Sequence, residues 1–190
     1  MADQTICIDC GKPITPMATK LFEGRCTKCG TKEQAKTDPF LALQTYLFQR
    51  AQRSRNDLSV LSLPERTYYA VIALKQEFDN GGLHQYFFNH GGVNCADAEE
   101  GLRTLNELKL LELLQQAKEL LFPAMAFPLD TEVRREMIPF TELRVPNAVW
   151  AVRLPEIEER FYEGSEFLEE HLHTFARDHG LVSDNAKSPT

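Results

Sequence analysis

From residue 40 onward, hydrophobic side chains recur at the three- and four-residue spacing of an α-helix. The residues that share one face of the first predicted helix are Phe40, Leu43, Leu47 and Phe48. A second helix is predicted to start at Ser62, because Ser62 and Glu65 have the spacing of a capping box. It is predicted to stop at residues 80–82, Asn-Gly-Gly, and to be followed by a short helical turn over residues 83–89.

Residues 98–122 form a leucine-rich stretch of strong helix formers. Its leucines are spread too widely for the apolar stripe of one surface helix. We therefore predict two helices, the first capped by Asp97, with a break near Asn106 and an end at Phe122. The apolar loop over residues 124–129 is predicted to pack over the core.

The rest of the chain is predicted to form shorter secondary-structure elements. These lie over residues 131–138, 143–150 and 155–162. Ser165 is predicted to cap a last helix that runs to about Asp178 and is ended by the glycine at position 180. Strand signals are scarce, so the sequence predicts a mainly α fold.

Four cysteines near the N-terminus have the spacing of a metal site. Cys7 and Cys10 form one C-x-x-C pair, and fifteen residues separate it from a second pair, Cys26 and Cys29. Two such turns can supply the four thiolates of a tetrahedral zinc site. A segment this short needs a staple to fold, so we predict structural Zn²⁺ at these cysteines. The alternatives are two disulfides or a redox C-x-x-C pair.

The chain is therefore predicted to be a single helical domain preceded by a small four-cysteine module. Residues 1–33 are predicted to form a zinc-ribbon-like module with a short β-hairpin, and residues 34–39 a linker. Residues 40–180 are predicted to be the all-helical domain, and residues 181–190 a disordered tail. A length of 190 residues, 43% of them hydrophobic, suits this division.

The acidic charge is concentrated in the C-terminal half. The formal net charge is −7, and residues 97–190 alone carry nineteen acidic and ten basic residues. In the densest stretch, residues 156–170, seven glutamates accompany one basic residue, Arg160. These candidate partner-surface residues are Glu156, Glu158, Glu159, Glu163, Glu166, Glu169 and Glu170. Such a surface repels nucleic acid and favours a basic partner, although a solvated helix face is the simpler interpretation.

The sequence also carries information on location. No run of eighteen apolar residues predicts a transmembrane helix, and the first residues lack the basic and apolar regions of a signal peptide. With reduced, metal-binding cysteines, this pattern predicts a cytoplasmic protein.

A second informative motif lies over residues 77–92, where an acidic residue and Asn-Gly-Gly precede a glutamine, two aromatic residues and an asparagine. The motif residues are Glu77, Asn80, Gly81, Gly82, Leu83, Gln85, Phe87, Phe88 and Asn89. This pattern resembles the signature of the bacterial DNA-mimic-protein-like domain family, long described as a domain of unknown function. The resemblance covers roughly residues 60–178. Asn106 departs from it, since members often have glycine there, and many members lack the zinc module.

The resemblance implies an all-helical domain. By analogy, it also implies that the protein occupies a DNA-binding protein. The family takes its name from a member proposed to do so by imitating DNA with surface carboxylates. The motif itself has a structural interpretation. Asn80 and Gly81 suit left-handed backbone at a helix end, and the amides of Gln85 and Asn89 are predicted to bind the exposed backbone groups. The alternative is a ligand or partner site lined by Asn80, Gln85 and Asn89.

The sequence contains few candidate catalytic residues. It has no Gly-rich phosphate loop and no nucleophile elbow. His84 and His90 flank the aromatic turn and are the best candidates for a general base, but no partner carboxylate or nucleophile is evident beside them. Cys95 stands apart and is interpreted as a buried, inert thiol.

The leading hypothesis is therefore a non-enzymatic regulatory or interaction protein. Its acidic helical domain would bind a protein partner, with a basic DNA-binding protein as the favoured class and a homodimer as a further option. The second hypothesis is a nucleic-acid-binding zinc protein, supported by basic residues of the N-terminal module: Lys12, Lys20, Arg25, Lys28, Lys32 and Lys36. The third is an enzyme with a site near His84 and His90.

Overall fold

A computed structural model describes residues 5–123, 126–139 and 149–183. Within these ranges the chain is mainly helical, as predicted. The helices are α1 Pro16–Leu21, α2 Thr27–Gln34, α3 Pro39–Arg53, α4 Leu63–Phe88, α5 Cys95–Thr104, α6 Leu108–Leu121, α7 Thr131–Met137, α8 Val149–Gly164 and α9 Leu168–Asp178. Across the described ranges, every helix is too short or too polar to span a membrane.

The N-terminal module differs from the predicted ribbon. Only an isolated antiparallel bridge, between Ile6 and Pro13, is present among its described residues, so the predicted β-hairpin is wrong. Helix α1 occupies the segment between the cysteine pairs, with the Thr15 side chain accepting the backbone N–H of Ala18 at its start. Thr15 followed by proline is a helix-start signal, and it prevails over strand pairing here.

The first two predicted helices of the main domain are confirmed. Asp38 caps α3 by accepting the backbone N–H of Phe40 at 2.9 Å. The capping box starts α4, where Glu65 Oε2 accepts the backbone N–H of Ser62 at 2.8 Å. The predicted break at residues 80–82 is also confirmed, because the backbone leaves the helical conformation at residues 81–82. The helical segment that follows, taken as the second half of α4, continues to Phe88.

The leucine-rich stretch is two helices, as predicted. The break between α5 and α6 places Asn106 in left-handed backbone, with φ of +60°. Two predicted caps are wrong by a few residues. Asp97 lies in the first turn of α5, which begins at Cys95, and Ser165 precedes α9, whose cap residue is Phe167.

Helix α4 forms the centre of the core. Its side chains at Tyr68, Leu74, Leu83 and Phe87 are essentially inaccessible to solvent. Helices α3, α5, α7, α8 and α9 all contact α4, and α6 packs against α8. The burial of α4 explains why the motif within it is held by side chains from distant parts of the chain.

Several predictions fall partly outside the described residues. These include the loop over 124–129, where Phe127 packs against the core as predicted, and the element over 143–150, of which only the start of α8 is described. The predicted tail begins at 181, yet Leu181 and Val182 pack against the core. Residues 184–190 of that prediction lie outside the description.

Candidate functional site

The four N-terminal cysteines converge at one point. The sulfur atoms of Cys7, Cys10, Cys26 and Cys29 all lie within 4.8 Å of one another, so this cluster could hold a metal ion. Cys26 is the cap residue of α2 and Cys29 lies in its first turn. The helix therefore holds the second pair, while the turn after Cys7 holds the first. In the described residues all five cysteines are free of disulfides.

Hydrogen bonds and neighbouring sulfur atoms shift the pKa values of two of these thiols in opposite directions. The backbone N–H of Cys26 donates to Cys7 Sγ at 3.1 Å and lowers the pKa of Cys7 to about 6. By contrast, the Cys26 sulfur, burial and the sulfurs of the first pair raise the pKa of Cys29 to about 12. A bound cation would lower the pKa of each thiol, because it stabilises the thiolate form.

The second candidate site is built around the kink of α4. Gly82 takes the left-handed backbone at this kink, with φ of +77°, whereas Gly81 is extended and Asn80 remains helical. The prediction that Asn80 and Gly81 are left-handed is therefore wrong by one to two residues. A Cβ atom on Gly82 would lie 2.3 Å from Glu158 Oε1, so the close approach of this side chain also requires glycine.

Glu158 caps the second half of α4. Its Oε1 atom accepts the backbone N–H of Leu83 at 2.7 Å and that of His84 at 3.3 Å. These are orphan donors at the start of a helical segment. Burial raises the pKa of Glu158 above its ordinary value, opposed by these two hydrogen bonds. Glu158 thus belongs to the interior of the kink, in contrast to its predicted place on a partner surface.

The polar motif residues hold one carboxylate. Glu77 Oε2 accepts from Gln85 Nε2 at 3.0 Å and from Asn89 Nδ2 at 2.8 Å. The prediction that these two amides bind backbone ends is therefore wrong. Their spacing of four residues places both on one side of the helix, opposite Glu77 on the segment before the kink. The three side chains tie the two halves of α4 together.

Arg134 binds the C-terminal end of α4 and was missed by sequence reasoning. Its guanidinium is fully buried and donates to the carbonyl oxygens of Phe87 at 2.8 Å and Asn89 at 3.0 Å. It also donates to the carbonyl oxygens of Pro128 and Leu129. A cation at helix C-terminal carbonyls is favourable, and five fixed donors suit this cluster of acceptors. An arginine in a charged heptapeptide, TEVRREM, gives no sequence signal for burial.

His84, a candidate general base, borders the kink, since it lines one cleft together with Glu158. His84 stacks on Trp150, with ring centroids 5.1 Å apart, and burial lowers its pKa. The backbone of residue 90 lies in the turn after α4, and its side chain is outside the description. Cys95 is buried, and burial raises the pKa of its thiol to about 12, which disfavours the nucleophilic thiolate.

Six of the seven glutamates of the candidate partner surface are exposed. They are Glu156, Glu159 and Glu163 on α8, Glu166 between the helices, and Glu169 and Glu170 on α9. The three on α8 share one face, because their spacing is three and four residues. Among the described residues only Glu169 of these six lies close to a basic side chain, 3.7 Å from His173, and burial lowers the pKa of that histidine. The surface therefore presents mostly uncompensated carboxylates.

A family model described as DMP19-like protein, for DNA mimic protein 19, matches residues 59–179, which is more than half of the chain. The chain belongs to the DMP19-like family. The match confirms the resemblance drawn from the motif and covers helices α4–α9, with both the kink and the acidic face. The cysteine module and α3 lie outside it. Searches of the curated proteins and of the solved structures found no match.

Proposed function

We propose that this DMP19-like protein is a non-enzymatic regulatory protein that binds a basic, nucleic-acid-binding protein by imitating DNA. The observation that carries the proposal is the exposed acidic face of α8 and α9, within the part of the chain that the family model matches. We call the six residues Glu156, Glu159, Glu163, Glu166, Glu169 and Glu170 the acidic face.

The spacing of these carboxylates supports the proposal. At a rise of about 1.5 Å per residue, Glu156, Glu159 and Glu163 follow one another at steps of about 4.5 and 6 Å along the axis of α8. A DNA strand carries one phosphate per about 3.4 Å of its axis, so both surfaces repeat negative charge on a scale of a few ångströms. A protein surface that neutralises phosphates with lysine and arginine could therefore engage these carboxylates.

The rigid attachment of α8 supports it further. Leu154, Ile157 and Phe161 on the opposite side of this helix are buried in the core. Glu158 joins α8 to the kink of α4 through its contact with Leu83. The carboxylates are thus carried on a fixed helix, and a partner does not have to order the backbone that presents them.

The cysteine module is proposed to be a structural zinc site. Sulfur atoms at the corners of a zinc tetrahedron with Zn–S bonds of about 2.3 Å are about 3.8 Å apart. Cys10 Sγ and Cys26 Sγ are 3.8 Å apart. Bound zinc would stabilise all four thiolates and hold α2 against the turn that contains Cys7 and Cys10. The module then stabilises the N-terminus or offers a second contact surface.

The experiment that tests the function is a pull-down from a nuclease-treated lysate of the cells that produce the protein, analysed by mass spectrometry. A test variant reverses Glu159, Glu163 and Glu166 to lysine. A matched control reverses three exposed glutamates elsewhere, Glu23, Glu112 and Glu136, so that the net charge is the same.

The proposal expects capture of a DNA- or RNA-binding protein by the wild type and the control, and its loss from the test variant. Equal capture by all three proteins would contradict the role of the acidic face. Recovery of nucleic acid alone, from lysate without nuclease, would instead assign binding to the basic residues of the cysteine module.

A further inference from the structure

A groove of about 280 Å³ with amide and aromatic side chains in its walls lies between α3 and α4, next to the family motif. Five amide side chains and one carboxylate line it: Gln52, Asn56, Gln76, Glu77, Asn80 and Asn94. Phe48 and Tyr69 supply an apolar wall, with ring centroids 4.9 Å apart. Among the described residues that line the groove, Glu77 carries the only charge. A groove with one fixed anion among neutral polar groups favours a cationic ligand.

The carboxylate of Glu77 is oriented by the motif. Both amide donors, from Gln85 and Asn89, go to Oε2. Within the described part of the chain, Oε1 has no hydrogen-bond partner, and it can accept from a ligand in the groove. A carboxylate held by two neighbouring donors is pre-organised for charge-assisted recognition, because it does not have to lose rotamer freedom on binding.

A second acceptor is oriented in the same way. Gln76 donates its amide to Gln44 Oε1 at 3.0 Å, and the Gln44 amide in turn donates to the Tyr68 hydroxyl at 3.5 Å. This chain of hydrogen bonds uses one of the two N–H donors of Gln76 and fixes the orientation of its amide. It leaves the Gln76 carbonyl oxygen available to a ligand, one residue from Glu77.

Asn94 adds a further polar group to the groove. The residue is 8% exposed and lines the groove. In the described ranges its amide makes no hydrogen bond to another residue. Its amide therefore remains available to hydrogen-bond a ligand in the groove.

We propose that this groove binds an arginine side chain on an extended segment of a protein partner. The guanidinium has five N–H donors in one plane. The groove offers several hydrogen-bond acceptors, of which Glu77 Oε1 and the Gln76 side-chain carbonyl are the two with a fixed orientation. Its planar face suits the wall formed by Phe48 and Tyr69, against which an ammonium would gain less. The amides of Asn80 and Asn94 can pair with the backbone of the same segment.

This groove is separate from the acidic face, since none of its lining residues lies on α8 or α9. The inference does not depend on DNA mimicry. It assigns a role to the polar motif, in which Gln85 and Asn89 position Glu77 for recognition as well as joining the two halves of α4.

The test is a titration of the full-length protein with two blocked tripeptides, Gly-Arg-Gly and Gly-citrulline-Gly, followed by ¹H–¹⁵N NMR. Citrulline has the shape of arginine without its charge. We expect the arginine peptide to shift the side-chain amides of Gln76, Asn80 and Asn94. The citrulline peptide should bind about tenfold more weakly or not at all.

Two variants complete the test. Glu77→Gln keeps an oxygen for Gln85 and Asn89 and should weaken the arginine peptide by about tenfold. Asn94→Ala removes an amide without a partner in the fold, so it should weaken the peptide while leaving the spectrum of the rest of the protein unchanged.

Three results would overturn the inference. They are an absence of shifts, equal binding of the two peptides, and shifts confined to α8 and α9. If Glu77→Gln does not fold, Asn94→Ala decides the question, because unchanged binding by that variant would exclude the groove.

Discussion

Glu158 Oε1 accepts the backbone N–H of Leu83 at 2.7 Å, and this hydrogen bond joins α8 to the kink of α4. The carboxylate substitutes for the hydrogen bonds that the kink removes from the start of the second helical segment. An acidic residue in a run of surface glutamates therefore has a structural function. Its neighbour Glu159 is exposed and keeps the role proposed for the acidic face.

Glu158→Ala should lower the free energy of unfolding by about 1–2 kcal/mol, because it leaves the N–H groups of Leu83 and His84 without an acceptor. Glu158→Gln should remain within about 1 kcal/mol of the wild type, since its carbonyl oxygen can still accept. Urea titration of the two variants measures the difference. Equal losses in both would show that the charge, and not the acceptor, matters.

The same residue predicts a pH effect. Its pKa is raised in the folded protein, so the folded state binds more protons than the unfolded state between the ordinary and the raised values. The stability of the wild type relative to Glu158→Gln should therefore rise as the pH falls from 7 through the raised pKa, and level off below the ordinary one. A relative stability that falls over this interval would contradict the burial of the carboxylate.

Gly82→Ala should cost more than Gly180→Ala. Both glycines have positive φ, +77° and +66°, but Gly82 also has ψ of −175°, a region that is essentially confined to glycine, so its variant incurs backbone strain of about 1–3 kcal/mol. Only at Gly82 would the new Cβ meet another side chain, Glu158, whereas nothing lies within 4 Å at Gly180. Thermal or urea unfolding of the two variants gives the comparison. Equal costs would mean that Glu158 moves aside freely.

Arg134→Lys should lower the free energy of unfolding by about 3 kcal/mol or more. One ammonium cannot reach the carbonyl oxygens of Phe87, Pro128, Leu129 and Asn89 together, so buried acceptors would lose their donors. Arg135→Lys is the control, because Arg135 is on the same helix and partly exposed. A loss for Arg135→Lys as large as that for Arg134→Lys would contradict the special role of Arg134.

Cys7→Ser and Cys26→Ser should each abolish binding of one zinc ion per chain, measured by mass spectrometry of the metal content. Each variant leaves three thiolates for a site that requires four. Cys95→Ser is the control and should retain the metal, since Cys95 lies outside the cluster. Unchanged metal content in Cys7→Ser and Cys26→Ser would refute the zinc site.

The helical elements were predictable from sequence where local signals agree. The capping box at Ser62 and the break at Asn106 are confirmed, because each depends on nearby residues. The predicted hairpin is wrong for the opposite reason. Short segments between metal ligands give weak periodicity, and the helix-start signal of Thr15 followed by proline determines the structure of this one.

The site was predictable only in part. Cysteine spacing predicts the cluster of four sulfurs, since those ligands form local pairs. The contacts at the kink and at the end of α4 could not be predicted, because Leu83 and Glu158 are separated by seventy-five positions and Phe87 and Arg134 by forty-seven. Such pairings arise from packing of distant helices, which no local pattern encodes.

The most direct test of the proposed function is competition between this protein and duplex DNA for the captured nucleic-acid-binding partner. The partner is first bound to a fluorescent duplex, and the anisotropy of the duplex is followed as the protein is added. DNA mimicry predicts that the wild type displaces the duplex and that the triple variant of Glu159, Glu163 and Glu166 does not. A ternary complex of partner, duplex and wild-type protein, with no loss of anisotropy, would contradict it.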